Sequence, residues 1–358
     1  MGTGFRVIDT GVRDGRLQIA FDQALIELHG AGVVPDSVRF LRFPPTALVG
    51  RHQALSHEVH VDRCRAEHVG LVRRITGGGA IYLDEGQVGW EIVLSRKRLA
   101  MPTLGDYTRA ICEAVAFGLS DTFGIDARFR PRNDIEVNGQ KISGTGGFFD
   151  GDTLFYQGTV LVDVDAARMM RLLNVPEAKL KKRALDSAEA RVTTLKALLG
   201  RAPPVDEVHA AVLRGLERKL GIRCTPGSIT ADEEARAKAL HDEWIGTEAF
   251  VHEIDDPKPG GETGHATRTG AGGTVAAYVR LEGTGGARRV REALLTGDFF
   301  VTPPRLILDL EASLRGIPVV DIGAAVDRFF AATKPDMLTM PPAELKAVLI
   351  DAAAAVTR

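Results

Sequence analysis

The chain has 358 residues, and its 44% hydrophobic and 26% charged residues are typical of an ordinary globular protein. Its length predicts two domains, and its formal net charge of -2 argues against a nucleic-acid coat or a basic membrane arm. Three cysteines, far apart in the sequence, form no disulfide framework and indicate a reducing compartment. Because no stretch has the pattern of a signal peptide or a membrane span, we expect a cytoplasmic protein.

Hydrophobic periodicity predicts both helices and strands in the N-terminal two thirds of the chain. Apolar residues at steps of three and four predict amphipathic helices over Leu17–Leu28 and Asp106–Phe123. Strands and helices do not alternate strictly, so the sequence favours an α+β domain with a mixed sheet flanked by helices. The predicted strands are 37–43, 70–75, 87–94, 132–143 and 153–164, and the further helices are 61–68, 165–173, 192–199 and 205–220.

The composition changes after Trp244. Residues 255–273 are rich in Gly, Thr and Pro without an apolar period, which predicts a flexible linker. Beyond them, strands over 274–281 and 290–295 and helices from Leu306 onward predict a small second αβ domain. The predicted domains are therefore 1–250 and 274–358, joined by a linker at 251–273.

The sequence RRITGGGA at 73–80 is the first candidate for chemistry. Glycine lets backbone N–H groups approach an anion, and the two arginines before it carry guanidinium groups that match carboxylate and phosphate. A tight strand connection with exposed arginines explains the same residues, and the sequence alone leaves both interpretations open. The candidate anion-binding residues here are Arg73, Arg74, Gly77, Gly78, Gly79 and Ala80.

A β-hairpin around Asn138–Gly139 is the second candidate. This dipeptide between alternating runs predicts a two-residue type I′ turn, which pairs Glu136 with Lys141 and Asp134 with Ser143 on one polar face. An exposed Lys141–Glu136 ion pair would contribute only about 0.2–1 kcal/mol. The glycine-rich GTGG at 144–147, predicted as a second glycine loop, instead favours a site where backbone closes over a ligand.

Together these residues fit an anionic ligand with several phosphates. The sequence has neither a Walker A loop nor a Rossmann glycine fingerprint. No histidine or cysteine stands in a zinc-binding or nucleophilic pattern. The chemistry therefore depends on the two glycine-rich segments and the charges beside them.

At these motifs the sequence resembles the lipoate–protein ligase family. The segments RRITGGGAIYLDEG, NDIEVNGQKISGTGG and GTVLVD occur in the order that the family shows. LVGRHQ at 48–53, RVTTL at 191–195 and the segment 272–316 resemble further family elements, the last a small accessory domain. The resemblance implies a catalytic domain with the fold of biotin–protein ligases and class II aminoacyl-tRNA synthetases.

The resemblance also implies an activity: the ATP-dependent activation of lipoate or octanoate to an acyl-adenylate, followed by transfer to a lysine of a carrier protein. Lys141 would hold the acyl carbonyl and the α-phosphate. Asn133 and Asp134 would bind the nucleotide and its Mg²⁺, and Asp134 is also a candidate proton acceptor. The other implied ligand-binding residues are Arg73, Arg74, Gly77, Gly78, Gly79, Ala80, Ser143, Gly144, Thr145, Gly146 and Thr159.

The implied partner is a lipoyl-accepting carrier. It would be a lipoyl domain of an oxoacid dehydrogenase, a glycine-cleavage H protein or an H-like lipoate-binding protein, and the sequence does not choose among them. We expect a monomer that binds neither nucleic acid nor membrane. Two positions depart from the family: Leu83 and Gln157 stand where histidines are common.

Three alternatives share this fold. An octanoyltransferase would carry the acyl group on a cysteine, but neither 128–133 nor 182–191 contains one, and Cys224 lies too far downstream. A non-catalytic factor that binds lipoylated carriers would not need Lys141. A biotin ligase would carry a Gly-Arg-Gly-Arg-like loop, which residues 76–79 lack.

Overall fold

The computed structural model describes residues 4–174, 192–270 and 272–356. The chain divides into two compact units. The N-terminal unit comprises Met1–Leu48, Val59–Arg73 and Ile81–Val251, and the C-terminal unit comprises Val49–Glu58, Arg74–Ala80 and His252–Arg358. The structure thus groups 49–58 and 74–80 with the C-terminal segment, although the sequence predicted that they belong to a domain spanning 1–250.

The elements are as follows. The strands are β1 Gly4–Val12, β2 Ser37–Arg42, β3 Thr46–Val49, β4 Gly70–Arg73, β5 Ile81–Leu83, β6 Gln87–Ser95, β7 Ala127–Arg130, β8 Asp134–Val137, β9 Gln140–Asp150, β10 Thr153–Leu161, β11 Arg223–Pro226, β12 Thr263–Gly270, β13 Gly273–Glu282, β14 Arg289–Gly297, β15 Val301–Thr302 and β16 Met337–Leu338. The α-helices are α1 Gly15–Gly30, α2 Leu55–Glu58, α3 Val61–Ala66, α4 Arg96–Leu99, α5 Leu104–Phe123, α6 Ala166–Leu172, α7 Leu195–Leu199, α8 Val205–Leu220, α9 Ala231–Leu240, α10 Glu248–Val251, α11 Leu306–Ser313, α12 Ile322–Ala332 and α13 Pro342–Ala355.

The N-terminal unit is built on an eight-stranded mixed sheet. Its strand order is β11-β1-β2-β6-β10-β9-β8-β7, with β11, β1 and β2 parallel and the remaining neighbours antiparallel. The α+β prediction is confirmed. Helix α1 covers one face, and α5 covers the other through an edge-on contact of Tyr107 with Phe149. Because both faces are covered, the central strand β6 is buried over nearly its whole length.

A cluster of charges lies inside this unit, between α1 and the sheet. Arg39 of β2 donates to Asp22 of α1 at 2.6 Å and to Glu91 of β6 at 2.9 Å. All three side chains are buried. Burial raises the pKa of both carboxyl groups, against the opposing influence of Arg39. The cluster therefore ties α1 to two strands of the sheet through one guanidinium group.

The C-terminal unit contains a three-stranded antiparallel sheet, β12-β13-β14, packed with α11, α12 and α13 around an apolar core. The predicted flexible linker is wrong for Thr263–Gly270, which forms β12 and pairs with β13 along its length. Most of β12 is only partly buried, so it lacks the apolar alternation that identifies a strand in the sequence. Within the described ranges, no helix combines the length and the apolar character needed to cross a membrane.

Candidate functional site

The Asn138–Gly139 turn forms as predicted, with positive φ angles at both residues. The predicted strand pairs next to the turn are confirmed, but the pairing of Asp134 with Ser143 is wrong. A β-bulge directly before Glu136 shifts the register, so that Asp134 opposes Gly144. As a result Ser143 is buried, and its hydroxyl has no hydrogen-bond partner among the described residues.

The bulge brings Asp134 directly to Lys141. Lys141 Nζ lies 2.9 Å from Asp134 Oδ1, while Asp134 Oδ2 accepts a hydrogen bond from Arg130 Nη2 at 2.7 Å. Arg130 Nη1 also donates to Glu136 at 3.1 Å. The described contacts thus pair Glu136 with Arg130, and Lys141 shares the carboxylate of Asp134 with the same arginine.

The pKa of Asp134 reflects this arrangement. Burial acts to raise it, but the positive charges of Lys141 and Arg130 outweigh burial, and the pKa lies below its ordinary value. Asp134 is therefore ionised at neutral pH, and both of its oxygens contact cations. Within the described parts of the chain, no three His, Cys, Asp or Glu side chains are grouped to hold a metal ion. The roles of Asp134 as proton acceptor and metal ligand stay predictions.

The sequence predicted a loop for the second glycine cluster, but this cluster is part of a strand. Gly144 and Gly146 lie in β9, and Gly146 opposes Gln157 of β10. Because side chains alternate along strands, one face collects a row of partly accessible residues. The row consists of Asp134, Gly144, Gly146, Gln157 and Thr159.

Gly144 leaves the space that the Lys141 side chain occupies. A Cβ atom at Gly144 would lie 2.6 Å from Lys141 Cε and would also overlap Lys141 Nζ. Gly144→Ala should therefore displace the amine without unfolding the hairpin, because the overlapping atoms end a flexible side chain. The adenylation that the family resemblance implies, measured as pyrophosphate release with ATP and lipoate or octanoate, should fall about tenfold or more, with little change in melting temperature.

The control for this prediction is Gly105→Ala. Gly105 lies in α5, and a Cβ atom there would make only an ordinary contact of 3.5 Å with Thr103 Oγ1. Its activity should match wild type. Wild-type activity in Gly144→Ala would show that the position of the amine does not matter.

Asn133 is held by Thr145 of β9. The Asn133 side-chain amide donates to the Thr145 backbone carbonyl. The backbone carbonyl of Asn133 accepts from the Thr145 backbone amide at 3.0 Å and from the Thr145 hydroxyl at 2.8 Å. The Thr145 hydroxyl also contacts Tyr156, and both hydroxyls lie beside Cys112 Sγ. Thr145 is thus buried, and its contacts with Asn133 fix the backbone at the start of the hairpin. A contact of Thr145 with a ligand stays a prediction.

The segment after the undescribed residues runs beside Lys141. The Thr193 amide donates to the Lys141 carbonyl at 2.9 Å, and Gln140 Nε2 donates to the Val192 carbonyl at 3.3 Å. The RVTTL element therefore supports the backbone of the lysine. Arg191, its first residue, lies outside the described residues, as does 182–190, where the sequence analysis looked for a cysteine.

In the C-terminal unit, Arg74 shapes the triple-glycine loop. Its buried guanidinium donates to the carbonyls of Gly77 and Gly79, each at 2.8 Å, and burial lowers its pKa to about 10. Gly78 has a φ of 95°, and its amide donates to the Phe299 carbonyl at 3.3 Å. The loop conformation thus depends on Arg74 and on glycine at 78. Ala80 follows, partly buried, and the contacts of these residues with a ligand stay predictions.

Arg73 belongs to the N-terminal unit and is fully buried. Its guanidinium donates to the carbonyls of Phe250 at 3.1 Å and Val251 at 3.0 Å. These carbonyls end the short helix α10, where a cation is favourable. The contact anchors β4 to the end of the unit, and a ligand role for Arg73 stays a prediction.

Arg130 contacts both acids of the hairpin and is a residue of the candidate site that the sequence did not predict. The signal lay in its place on β7, where alternation puts it on the same side as Asp134 and Glu136 of the neighbouring strand. The predicted register of the hairpin paired β8 with β9 and left out β7. With β7 included, Arg130 would have emerged as a candidate partner of both acids.

Comparisons with known proteins identify the family of this chain. Residues 14–217, more than half of the chain, match the family described as the lipoyl protein ligase A/B catalytic domain. The chain belongs to the lipoyl protein ligase A/B family. An octanoyltransferase LipM of Symbiobacterium thermophilum is 30% identical over 263 residues, covering 67% of this chain and 95% of the relative. Lipoate-protein ligase A subunit 1 of Thermoplasma acidophilum is 28% identical over 245 residues, covering 66% and 91%.

Solved structures of this family give the same fold. The bi-partite lipoate protein ligase of Thermoplasma acidophilum, described with its E2 lipoyl domain, matches with a TM-score of 0.62 and 26% identity over 71% of this chain and 98% of that one. An ATP-bound lipoate-protein ligase A matches with a TM-score of 0.61 and 25% identity, covering 71% of this chain and 100% of that one. Lipoate-bound LipL1 of P. falciparum matches with a TM-score of 0.74, covering 97% of this chain and 99% of that one. At 16% identity, this match shows the fold alone.

Proposed function

We propose that this family member is a lipoate–protein ligase that uses ATP to activate free lipoate or octanoate and transfers the acyl group to a lysine of a carrier protein. The observation that carries the proposal is the contact of Lys141 with Asp134 on a partly accessible glycine-rich strand. This is a cation held beside backbone that an anionic ligand can approach closely. Removing Lys141 would remove the positive charge from that strand.

The cysteines support an ATP-dependent route over a covalent acyl-enzyme. Cys64 and Cys112 are fully buried. Burial raises the pKa of Cys64 to about 11 and of Cys224 to about 12, and it also raises the pKa of Cys112. A cysteine nucleophile acts as a thiolate, which needs a lowered pKa and an accessible site. None of these three thiols meets that requirement.

The proposed reaction has two steps. First, a carboxylate oxygen of the fatty acid bonds to the α-phosphorus of ATP, and the bond to the β-phosphate oxygen breaks to release pyrophosphate. Second, the neutral carrier amine attacks the acyl carbon, AMP leaves with the electron pair of the broken C–O bond, and the proton released by the amine passes to solvent. In both steps Lys141 would stabilise negative charge, in the way that preorganised donors generally do.

We assign nucleotide binding to the row of partly accessible residues beside the hairpin. Gly144 and Gly146 would allow the phosphates to approach β9, with Asn133 beside them, and Lys141 would exchange its contact with Asp134 for the α-phosphate. The ATP bound by lipoate-protein ligase A, a structural relative, supports this assignment. We assign Mg²⁺ to the ATP that enters, as the counterion of its phosphates.

An octanoyltransferase is the second candidate function. It is favoured by several curated relatives, which are octanoyltransferases named LipM at 25% to 30% identity. Such an enzyme would take its acyl group from an octanoyl-carrier thioester and would need no ATP. The two functions thus differ in acyl donor, nucleotide and dependence on a thiol.

A purified lipoyl domain separates the two functions when its acylation is followed by intact mass. We expect the acyl group to be added with octanoate or lipoate plus Mg–ATP, with AMP produced in equal amount, and not with octanoyl-acyl carrier protein alone. Cys112→Ser and Cys224→Ser should keep this activity. Acylation from the thioester without ATP, lost in either cysteine variant, would establish the transferase instead.

The carrier is proposed to be a lipoyl domain. The E2 lipoyl domain described with the Thermoplasma acidophilum ligase supports this choice. A glycine-cleavage H protein and an H-like lipoate-binding protein are the other arms of the same assay. The arm with the largest initial rate at equal carrier concentration identifies the preferred partner.

A further inference from the structure

The geometry points to Arg130 as a positioning residue for the adenylation site: it holds the Asp134 carboxylate in place so that Lys141 can leave it for the substrate. This inference rests on the proposed function. It assigns to Arg130 a task that neither the motifs nor the family resemblance attaches to this residue.

The first argument is the set of contacts. Arg130 uses its two terminal nitrogens on two carboxylates, Nη2 on Asp134 at 2.7 Å and Nη1 on Glu136 at 3.1 Å. Nη1 also lies 3.3 Å from the Gly139 carbonyl in the turn. The planar guanidinium therefore bridges the start of β8, its middle and the turn, which fixes the geometry more strongly than a single ammonium could.

The second argument concerns charge when a ligand binds. Asp134 has two cationic partners, Lys141 on Oδ1 and Arg130 on Oδ2. When the Lys141 amine turns to an anionic substrate, the carboxylate loses one of them. Arg130 contacts the other oxygen, so Asp134 stays ionised and in place, ready to take the amine back after the product leaves.

The third argument is the contrast with a neighbouring arginine. Arg128 lies two residues earlier on β7, and its described partner is Asp126 at 2.7 Å. Its side chain is 73% exposed, against 25% for Arg130. Arg128 is thus an arginine on the same strand and the same side of the sheet as Arg130, but no described contact joins it to Asp134. It provides the matched control.

The test compares Arg130→Met, Arg130→Lys and Arg128→Met with wild type in two measurements. One is the titration of the Asp134 carboxyl carbon by NMR in aspartate-labelled protein, assigned with Asp134→Asn. The other is kcat and KM for ATP-dependent pyrophosphate release as a function of pH. Melting temperatures check that each variant is folded.

We expect Arg130→Met to raise the pKa of Asp134 and to lower kcat by about 10- to 100-fold, with KM for the fatty acid changed far less. Because the carboxylate must be ionised, the loss should be larger at acidic than at alkaline pH. Arg130→Lys should recover part of kcat, and Arg128→Met should match wild type in both measurements.

An unchanged Asp134 titration in Arg130→Met overturns the positioning role, whatever the activity. So does a kcat loss that is the same at every pH and equal in Arg128→Met. A wild-type protein that releases no pyrophosphate with ATP and fatty acid overturns the proposed function instead, and the NMR titration distinguishes that failure from a failure of the Arg130 assignment.

Discussion

Lys141→Ala is expected to lower pyrophosphate release with ATP and lipoate or octanoate by at least about 100-fold, because removing one preorganised charge-stabilising donor typically raises a barrier by about 2.7–4 kcal/mol. The Lys141 side chain is only 33% exposed, and its amine contacts Asp134 at 2.9 Å beside the glycine-rich strand. A surface ion pair would contribute about 0–1 kcal/mol to stability and nothing to the rate. The size of the effect thus separates a catalytic lysine from a structural one.

Lys196→Ala is the matched control for this prediction. Lys196 also pairs with an aspartate at a similar distance, 2.8 Å from Asp163, but it lies in α7 and its side chain is 54% exposed. Its activity should equal that of wild type, and both variants should keep the wild-type melting temperature within a few degrees. A Lys141→Ala enzyme as active as the control would remove the basis of the proposed mechanism.

Much of the hairpin could be predicted because its determinants are local. Asn138–Gly139 selects the turn, and the turn sets the first strand pairs, which the structure confirms. The place of Lys141 beside the turn followed from the same few residues, whereas the glycine cluster after it was predicted as a loop and is a strand. The α+β class was also accessible, because the helices α1 and α5 have clear apolar periodicity.

The rest depends on contacts between residues far apart in sequence. The bulge before Glu136 has no signal in the hairpin sequence, yet it moves Asp134 from Ser143 to Gly144 and buries Ser143. Composition likewise concealed β12, whose partner β13 lies in the same sheet but whose own residues are small and polar. Secondary-structure propensity describes single segments, whereas the bulge and the strand β12 depend on the neighbouring strand with which each pairs.

The buried cluster is a further feature that the sequence could not show. Arg39, Asp22 and Glu91 are contributed by three separate elements, and each would ordinarily be predicted on the surface. Only the covered sheet, with α1 on that face, brings them together inside. They border the candidate site, because Glu91 lies on β6 directly opposite Gln157, which in turn opposes Gly146 in the row of partly accessible residues.

Arg39→Met is expected to lower the free energy of unfolding by about 3–5 kcal/mol, because it leaves two carboxyl groups buried without their cation. Arg236→Met is the control. Arg236 pairs with Glu27 on the surface, with a side chain that is 42% exposed, and its loss should cost about 1 kcal/mol or less. Both free energies of unfolding are to be measured by urea denaturation followed by circular dichroism.

The pH dependence of Arg39→Met distinguishes an unpaired buried charge from simple loss of packing. Burial raises the pKa of Asp22 and Glu91 in the folded protein, and without Arg39 the pKa of each should rise further. A carboxyl group with a raised folded pKa contributes its stability below the unfolded pKa and loses it as pH rises through the folded pKa. The variant should therefore lose less stability at about pH 4 than at about pH 8, and adding Glu91→Gln should restore part of the loss at the higher pH. A deficit that is equal at both pH values, or no larger than that of Arg236→Met, would mean that Arg39 acts by packing alone and that the carboxylates carry no charge in the folded protein.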